Sequence, residues 1–159
     1  MKNKYDIYYD YGRKNPVPVS DLEIVDGFAV IRSADVYVFG DQKVKVYNSR
    51  VRAYGNSKVE AYGYSRVLAY VSSEVEGHDN SVVWAFDNSE AWAKDYSVVS
   101  AHHNSKVMAK NNSEVMAFDN SKVWACENSK VTAYENAEVR AYQNAEVSYL
   151  KDEKRRSIK

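Results

Sequence analysis

From Asn48 to Lys151, small and apolar residues fall on alternate positions, and eight residues make one period. Asn48-Ser49-Arg50-Val51-Arg52-Ala53-Tyr54-Gly55 states the octad and Asn120-Ser121-Lys122-Val123-Trp124-Ala125-Cys126-Glu127 repeats it, so the stretch holds thirteen copies. Positions two, four and six are Ser, Val and Ala, an alternation that sets them on one face of a strand. Val yields only at Ala91, Ala at Gly77 and Tyr149, and Ser at Ala137 and Ala145. Side chains this small and this constant imply a tight, dry interior. Positions three, five and seven carry Lys, Glu, Arg, Trp, Met, Tyr and His and so face outward. Position eight is mostly Gly, Asp, Asn or Glu and position one mostly Asn. That pair reads as a turn, because Asn and Gly tolerate the left-handed backbone of a corner. Asn side chains stacked at a corner are expected to hydrogen-bond along the axis. Strand and turn at constant spacing predict an all-β fold, a single-domain parallel β-helix or solenoid. In such a fold each coil buries its face only against its neighbours. A period of eight does not match 3.6, and Val, Ser and Asn are poor helix material.

The outward positions decide how many octads close a coil, since equivalent residues of adjacent coils stack about 4.8 Å apart. At a spacing of sixteen, one position-seven column reads Tyr54, Tyr70, Phe86, His102, Phe118, Tyr134, Leu150, a nearly continuous aromatic ladder. The other reads Tyr62, His78, Lys94, Lys110, Cys126, Tyr142 and is mostly polar. At twenty-four the two mix. At sixteen, Lys58 meets Glu74, Glu90 meets Lys106, Lys122 meets Glu138, and Lys130 lies between Glu114 and Glu146. The like pairs Arg50 with Arg66, Glu74 with Glu90 and Lys106 with Lys122 stand against these. Opposite charges on neighbouring strands help and like charges hurt. The pattern favours sixteen residues, two octads, per coil.

The chain divides into three parts. Residues 1–16 form a Tyr-rich N-terminal cap, with Tyr5, Tyr8, Tyr9 and Tyr11 ahead of Pro16 and Pro18. A solenoid end is an open edge that needs covering. Residues 17–151 form the solenoid. Ser33 to Gly40 fits the octad, and Asp41 to Tyr47 fits it with the last residue missing. Ile24, Phe28, Val30, Val38 and Val46 read as larger interior residues at this first end. About eight coils give a rod of roughly 40 Å. Residues 152–159 are a charged tail.

Twenty-two basic and 22 acidic residues leave no formal net charge, which argues against a dedicated nucleic-acid binder. One cysteine excludes an intrachain disulfide or a Cys-rich metal site. No apolar run approaches a membrane span, and no signal-peptide core follows Met1, so a cytoplasmic protein is expected. Catalysis needs convergent groups in a concave site, whereas regular coils offer flat faces. His102 and His103 are adjacent and point to different sides, and His103 falls between Asp87 and Asp119 in the position-eight column. That arrangement reads as a charge-balanced turn ladder. Cys126 and His78 share a column three coils apart, too far for a nucleophile and its base. The chain is read as a non-enzyme with no catalytic, cofactor-binding or metal residues.

The outer faces carry more information. On one sheet Leu68, Trp84 and Met116 share a column beside Val82 and Val98, and the ladder of Tyr70, Phe86 and Phe118 completes that face. On the other, Trp92, Met108 and Trp124 form a run among Glu90, Lys106, Lys122, Lys94 and Lys110. Contiguous exposed apolar surface marks interaction sites, and Trp, Tyr and Met are the residues interfaces favour. These nine, Leu68, Tyr70, Trp84, Phe86, Trp92, Met108, Met116, Phe118 and Trp124, are the candidate partner-binding residues.

The Asn-Ser-x-Val-x-Ala-x-x octad resembles repeats in β-solenoid proteins of bacteria and their phages. The resemblance covers about two thirds of the chain and implies architecture rather than activity. By analogy, a small one-domain version without a secretion signal would suit a phage or mobile-element product. The function expected is a non-enzymatic module that binds a protein partner or itself as a homodimer, with inhibition of a host defence protein as the phage setting implies. A structural solenoid that stacks into an assembly, and a carbohydrate-binding or carbohydrate-active β-helix using Trp and Tyr platforms, are the alternatives.

Overall fold

The computed structural model describes residues 7–9 and 23–150. Its strands, in chain order, are β1 (Ile7–Tyr9), β2 (Glu23–Val25), β3 (Phe28–Arg32), β4 (Asp35–Val38), β5 (Lys43–Tyr47) and β6 (Arg50–Ala53). Then follow β7 (Lys58–Tyr62), β8 (Arg66–Ala69), β9 (Glu74–Gly77), β10 (Val82–Ala85), β11 (Glu90–Ala93) and β12 (Val98–Ala101). The last are β13 (Lys106–Ala109), β14 (Glu114–Ala117), β15 (Lys122–Ala125), β16 (Lys130–Tyr134), β17 (Glu138–Ala141) and β18 (Glu146–Leu150). They form two nine-stranded sheets. Sheet I runs β1-β4-β6-β8-β10-β12-β14-β16-β18, and sheet II runs β2-β3-β5-β7-β9-β11-β13-β15-β17.

From β3 onward every neighbour is parallel, and successive strands alternate between the sheets. This is a two-sided solenoid of about eight turns, with two octads per turn. Arg50 pairs with Arg66 and Lys106 with Lys122, sixteen residues apart. Ahead of them Asp35 pairs with Arg50 and Lys43 with Lys58, fifteen residues apart, because the octad that ends at Tyr47 is one residue short. Asn48 turns that shortened corner alone, at φ 49°. Its Oδ1 accepts the Tyr64 N–H at 3.0 Å. A Cβ at position 63 would lie 2.4 Å from that oxygen, so the missing residue at one corner makes Gly63 necessary one coil later.

The interior is the Ser, Val and Ala of each octad, brought inward by the pleat. Val44, Val67, Val83 and Val99, and Ala61, Ala85 and Ala101, are fully buried. So are Ser57, Ser89 and Ser105. The first end departs from expectation. Val38 and Val46 are interior and Val30 is buried, but Phe28 and Val30 share the outward side with Lys45, and Ala29 and Ile31 fill the inward side instead. Lys45 stands over the Phe28 ring at 4.9 Å. Ile24 shares the inward side with Ala29 and is still 41 % exposed, since β2 is the last described strand of its sheet. The reason is the β2–β3 hairpin. Its turn at Asp26 and Gly27, both at positive φ, resets the alternation by one residue.

The N-terminal end is closed by antiparallel strands, β1 on β4 and β2 on β3. Ile7 is fully buried, and Tyr8 meets Phe39 edge to face at 5.7 Å. The rest of the predicted cap in residues 1–16, and the tail 152–159, lie outside the described residues.

The turn falls on the position-eight and position-one pair, as the sequence reading expects. At Ser33 and Asn48 the left-handed residue is position one, and in the later corners it is position eight: Val71, Asp79, Asp87, Asp95, His103, Asn111, Asp119, Glu127, Glu135 and Gln143 all have φ between 53° and 67°. The axial ladder also runs through position eight. Gly63 N–H donates to Asp79, His103 N–H to Asp119, Asn111 N–H to Glu127 and Glu127 N–H to Gln143, at 2.8–2.9 Å. Each polar side chain thus satisfies the amide of the equivalent residue one coil earlier, which water or nothing would otherwise meet. Between position-one asparagines the described contact is a long one, Asn144 to Asn128 at 3.5 Å.

Candidate interaction surface

The pleat that hides Ser, Val and Ala aims positions three, five and seven outward, so each sheet displays three parallel columns of side chains. On sheet I the position-seven column is a stack of rings. Phe39, Tyr54, Tyr70, Phe86, His102, Phe118 and Tyr134 follow one another with centroids 4.6–5.1 Å apart and planes within 15°. Such stacking stabilises the rod beyond area burial alone, by about 0.5–1.5 kcal/mol per pair. A shorter stack, Tyr47, Tyr62 and His78, runs along sheet II.

The nine candidate residues divide between two faces. Leu68, Tyr70, Trp84, Phe86, Met116 and Phe118 lie together on sheet I, across β8, β10 and β14 and the residues just past them. Trp92, Met108 and Trp124 stack on sheet II, in register on β11, β13 and β15. The two groups are back to back and do not form one site.

The faces also differ in charge. On sheet II every strand from β5 to β17 carries an outward Lys, Glu or Arg, and many are paired. Lys58 meets Glu74 at 2.6 Å, Lys106 meets Glu90 at 2.8 Å and Lys122 meets Glu138 at 3.3 Å, three of the cross-coil pairs expected from sixteen-residue spacing. Lys94 reaches Glu76 at 2.7 Å and holds its carboxyl below the usual carboxylate range. On sheet I two adjacent strands carry no charge at all. Val82, Trp84 and Phe86 project from the β10 rung and Val98, Ser100 and His102 from the β12 rung. Arg66 on β8 and Glu114 on β14 border this window. Burial between the Phe86 and Phe118 rings holds the His102 imidazole below the ordinary histidine range, against the pull of nearby Asp119.

One contact in the window was not read from the sequence: Ser100 Oγ lies 2.9 Å from His102 Nε2. Its signal was present, as an i, i+2 pair on one face of a strand. A serine beside a histidine can act as nucleophile and base. Here Ser100 is only 6 % exposed, and the backbone around it is committed to the neighbouring strands. The bond serves to neutralise a polar pair inside an apolar surface.

At the corner below, His103 Nδ1 lies 3.3 Å from the Asp87 N–H and 3.5 Å from Asp87 Oδ1. The charge-balanced column predicted for His103 therefore takes the form of a hydrogen-bonded ladder with Asp87 and Asp119. Among the described residues no three His, Cys, Asp or Glu side chains converge on one point. A hollow of about 220 Å³ lies on sheet II, lined by Phe28, Trp92, Glu60 and Glu76 among others. The two carboxylates already face Lys45 and Lys94.

Comparison with protein-family models, with curated proteins and with solved structures finds no match to this chain. The architecture stands on its strand register and the surface on its columns.

Proposed function

We propose that the solenoid is a non-enzymatic binding module that engages a protein partner through the outer face of sheet I. The observation that carries this reading is the charge-free window on β10 and β12. Its Val82, Trp84, Phe86 and Val98 continue into Leu68, Tyr70, Met116 and Phe118, and charged residues appear only at its border. An apolar centre with aromatic anchors and a polar rim is the composition of protein interfaces. Ring stacking accounts for the position-seven column by itself. It does not account for Trp84, Val82 and Val98, which lie beside that column. In the setting the octad resemblance implies, the partner is a host protein whose surface the window covers.

The test is recovery of a partner from host-cell extract by the wild-type chain and by single variants. Trp84→Glu should lose the partner while its unfolding temperature stays within a few degrees of wild type. Trp92→Glu and Trp124→Glu, on the opposite face, should keep it. An identical set of bound proteins with and without Trp84→Glu would sink the assignment to sheet I.

A further inference from the structure

The two ends of the solenoid are finished differently. The N-terminal end is sealed by β1 and β2, both antiparallel to the strands they cover. At the other end β17 and β18 are the outermost strands of their sheets, and no described residue lies over them. Inward positions that are buried elsewhere are open here. Val139 and Val147 are half-buried, Ala141 is exposed, and Tyr149 is 65 % exposed.

The backbone is open as well. Within the rod the carbonyls of Ser121, Ala125 and Ser129 accept the N–H groups of Glu138, Tyr142 and Glu146 of the next coil. Positions two, four and six therefore aim their backbone groups toward the coil that follows. For Ala137, Val139 and Ala141 of one sheet, and Ala145, Val147 and Tyr149 of the other, no described residue supplies a following coil. A row of such groups behind apolar side chains is a template for another strand.

We infer that this end docks on the same end of a second copy, strand against strand and antiparallel, across a two-fold axis. The side chains are self-complementary in that arrangement. With the axis at Val139, that residue faces its own copy and the two exchange N–H···O bonds, as its outward-aimed backbone requires. Glu138 then stands opposite Arg140 of the second copy, and Arg140 opposite Glu138 of the second copy. Those are the close, non-hydrogen-bonded positions of an antiparallel pair. Arg140 makes no ion pair among the described residues, and Glu138 reaches only Lys122, at 3.3 Å, with most of its side chain exposed. Moving the axis to Arg140 would set arginine against arginine. On the other sheet β18 meets its own copy, and Tyr149 and Leu150 close the seam. The end is two strands wide, about 10 Å, and about 17 Å long. That is small beside a standard interface of about 1,600 Å², so the dimer should come apart on dilution. The inference goes beyond the partner-binding reading, because it leaves the window on sheet I uncovered.

Light scattering across a dilution series of the full 159-residue chain tests it. The mass should approach twice 18.2 kDa at high concentration and fall to 18.2 kDa on dilution. Arg140→Glu and Glu138→Arg should each move the midpoint to at least tenfold higher concentration. The double variant, which exchanges the charges, should restore it. Val139→Pro removes an N–H that faces out of the rod, a place where proline is tolerated, and should leave a folded monomer. Any of three results overturns the inference: monomer at every concentration, a dimer indifferent to Arg140→Glu and Val139→Pro, or a dimer that Trp84→Glu breaks instead.

Discussion

One column of serines offers a test in which the same substitution should change sign from coil to coil. Ser57, Ser73, Ser89, Ser105 and Ser121 occupy equivalent positions sixteen residues apart, and all are fully buried. Ser73 Oγ donates to the Tyr70 carbonyl at 3.0 Å. The hydroxyls of Ser57, Ser89, Ser105 and Ser121 have no hydrogen-bond partner among the described residues. Leaving a buried hydroxyl unsatisfied costs about 1–3 kcal/mol. Ser→Ala at Ser89 or Ser105 removes that cost and opens a void of roughly 15 Å³, worth about 0.4 kcal/mol at ~24 cal/mol per Å³. The net expectation is stabilisation by about 1–2 kcal/mol. Ser73→Ala instead deletes a made bond and should destabilise by about 0.5–1.5 kcal/mol. Urea unfolding followed by circular dichroism and by tryptophan fluorescence reads the difference. Coincident curves establish that a single free energy is meaningful, and an unchanged slope that only stability moved. Single variants come first, because neighbours in a column couple. If Ser89→Ala and Ser105→Ala destabilise as much as Ser73→Ala, the orphan hydroxyls are satisfied after all and the reasoning fails. The chain already contains the substitution at Ala137 in this column and at Ala145 in the serine column of the other sheet.

Three further outcomes follow from the corners and the ladder. Gly55→Ala should destabilise by about 2–3 kcal/mol, since its φ is +76° and a Cβ would lie 3.1 Å from the Gly40 backbone; a loss below about 0.5 kcal/mol in the same urea assay would show that the corner relaxes. Asp119→Ala strips the acceptor from the His103 N–H, a 2.9 Å bond, and should cost about 0.5–1.5 kcal/mol, while Asp119→Asn should recover most of it. His102 adds a pH dependence. Its folded pKa is depressed, so the unfolded chain binds the proton more readily and stability decreases as the pH is lowered. The contribution is complete above the ordinary value of 6.5 and shrinks as pH drops below it. His102→Phe keeps the ring stack and should flatten that part of the unfolding temperature profile between pH 5 and 8; a profile as steep as wild type would assign the effect to other groups.

Much of the architecture was legible because it rests on periodicity. Alternation placed Ser, Val and Ala inside, and the aromatic column from Tyr54 to Leu150 identified the sixteen-residue coil. The charge pairs Lys58–Glu74 and Lys122–Glu138 followed from the same spacing. The corners were less legible because Asn, Asp and Gly share a tolerance for positive φ, so composition could not say whether position eight or position one takes it. Hydrogen-bond geometry decides, and it decides for the residue whose side chain can reach back one coil. The first end was misread for a different reason. With no clean octad before Ser33, the parity of Phe28 and Val30 hung on a hairpin at Asp26 and Gly27 that shifts the pleat by one. The apolar columns of sheet I were visible in the sequence. What they recognise was not, since a flat face carries no chemistry-specific geometry.

The fixed coil has a consequence for how such a chain changes length. From Asn48 onward, the contacts that hold one turn to the next, the parallel ladder, the ring stack and the position-eight acceptors, repeat at the same interval of sixteen residues. A duplication or loss of sixteen residues, forty-eight nucleotides in a gene, joins coils that already fit. It leaves both ends intact and changes only the height of the rod, by about 4.8 Å. Removing eight residues would transfer every later strand to the opposite sheet. The molecule is in that sense a ruler with a single graduation, on which insertion and deletion act as adjustments of reach.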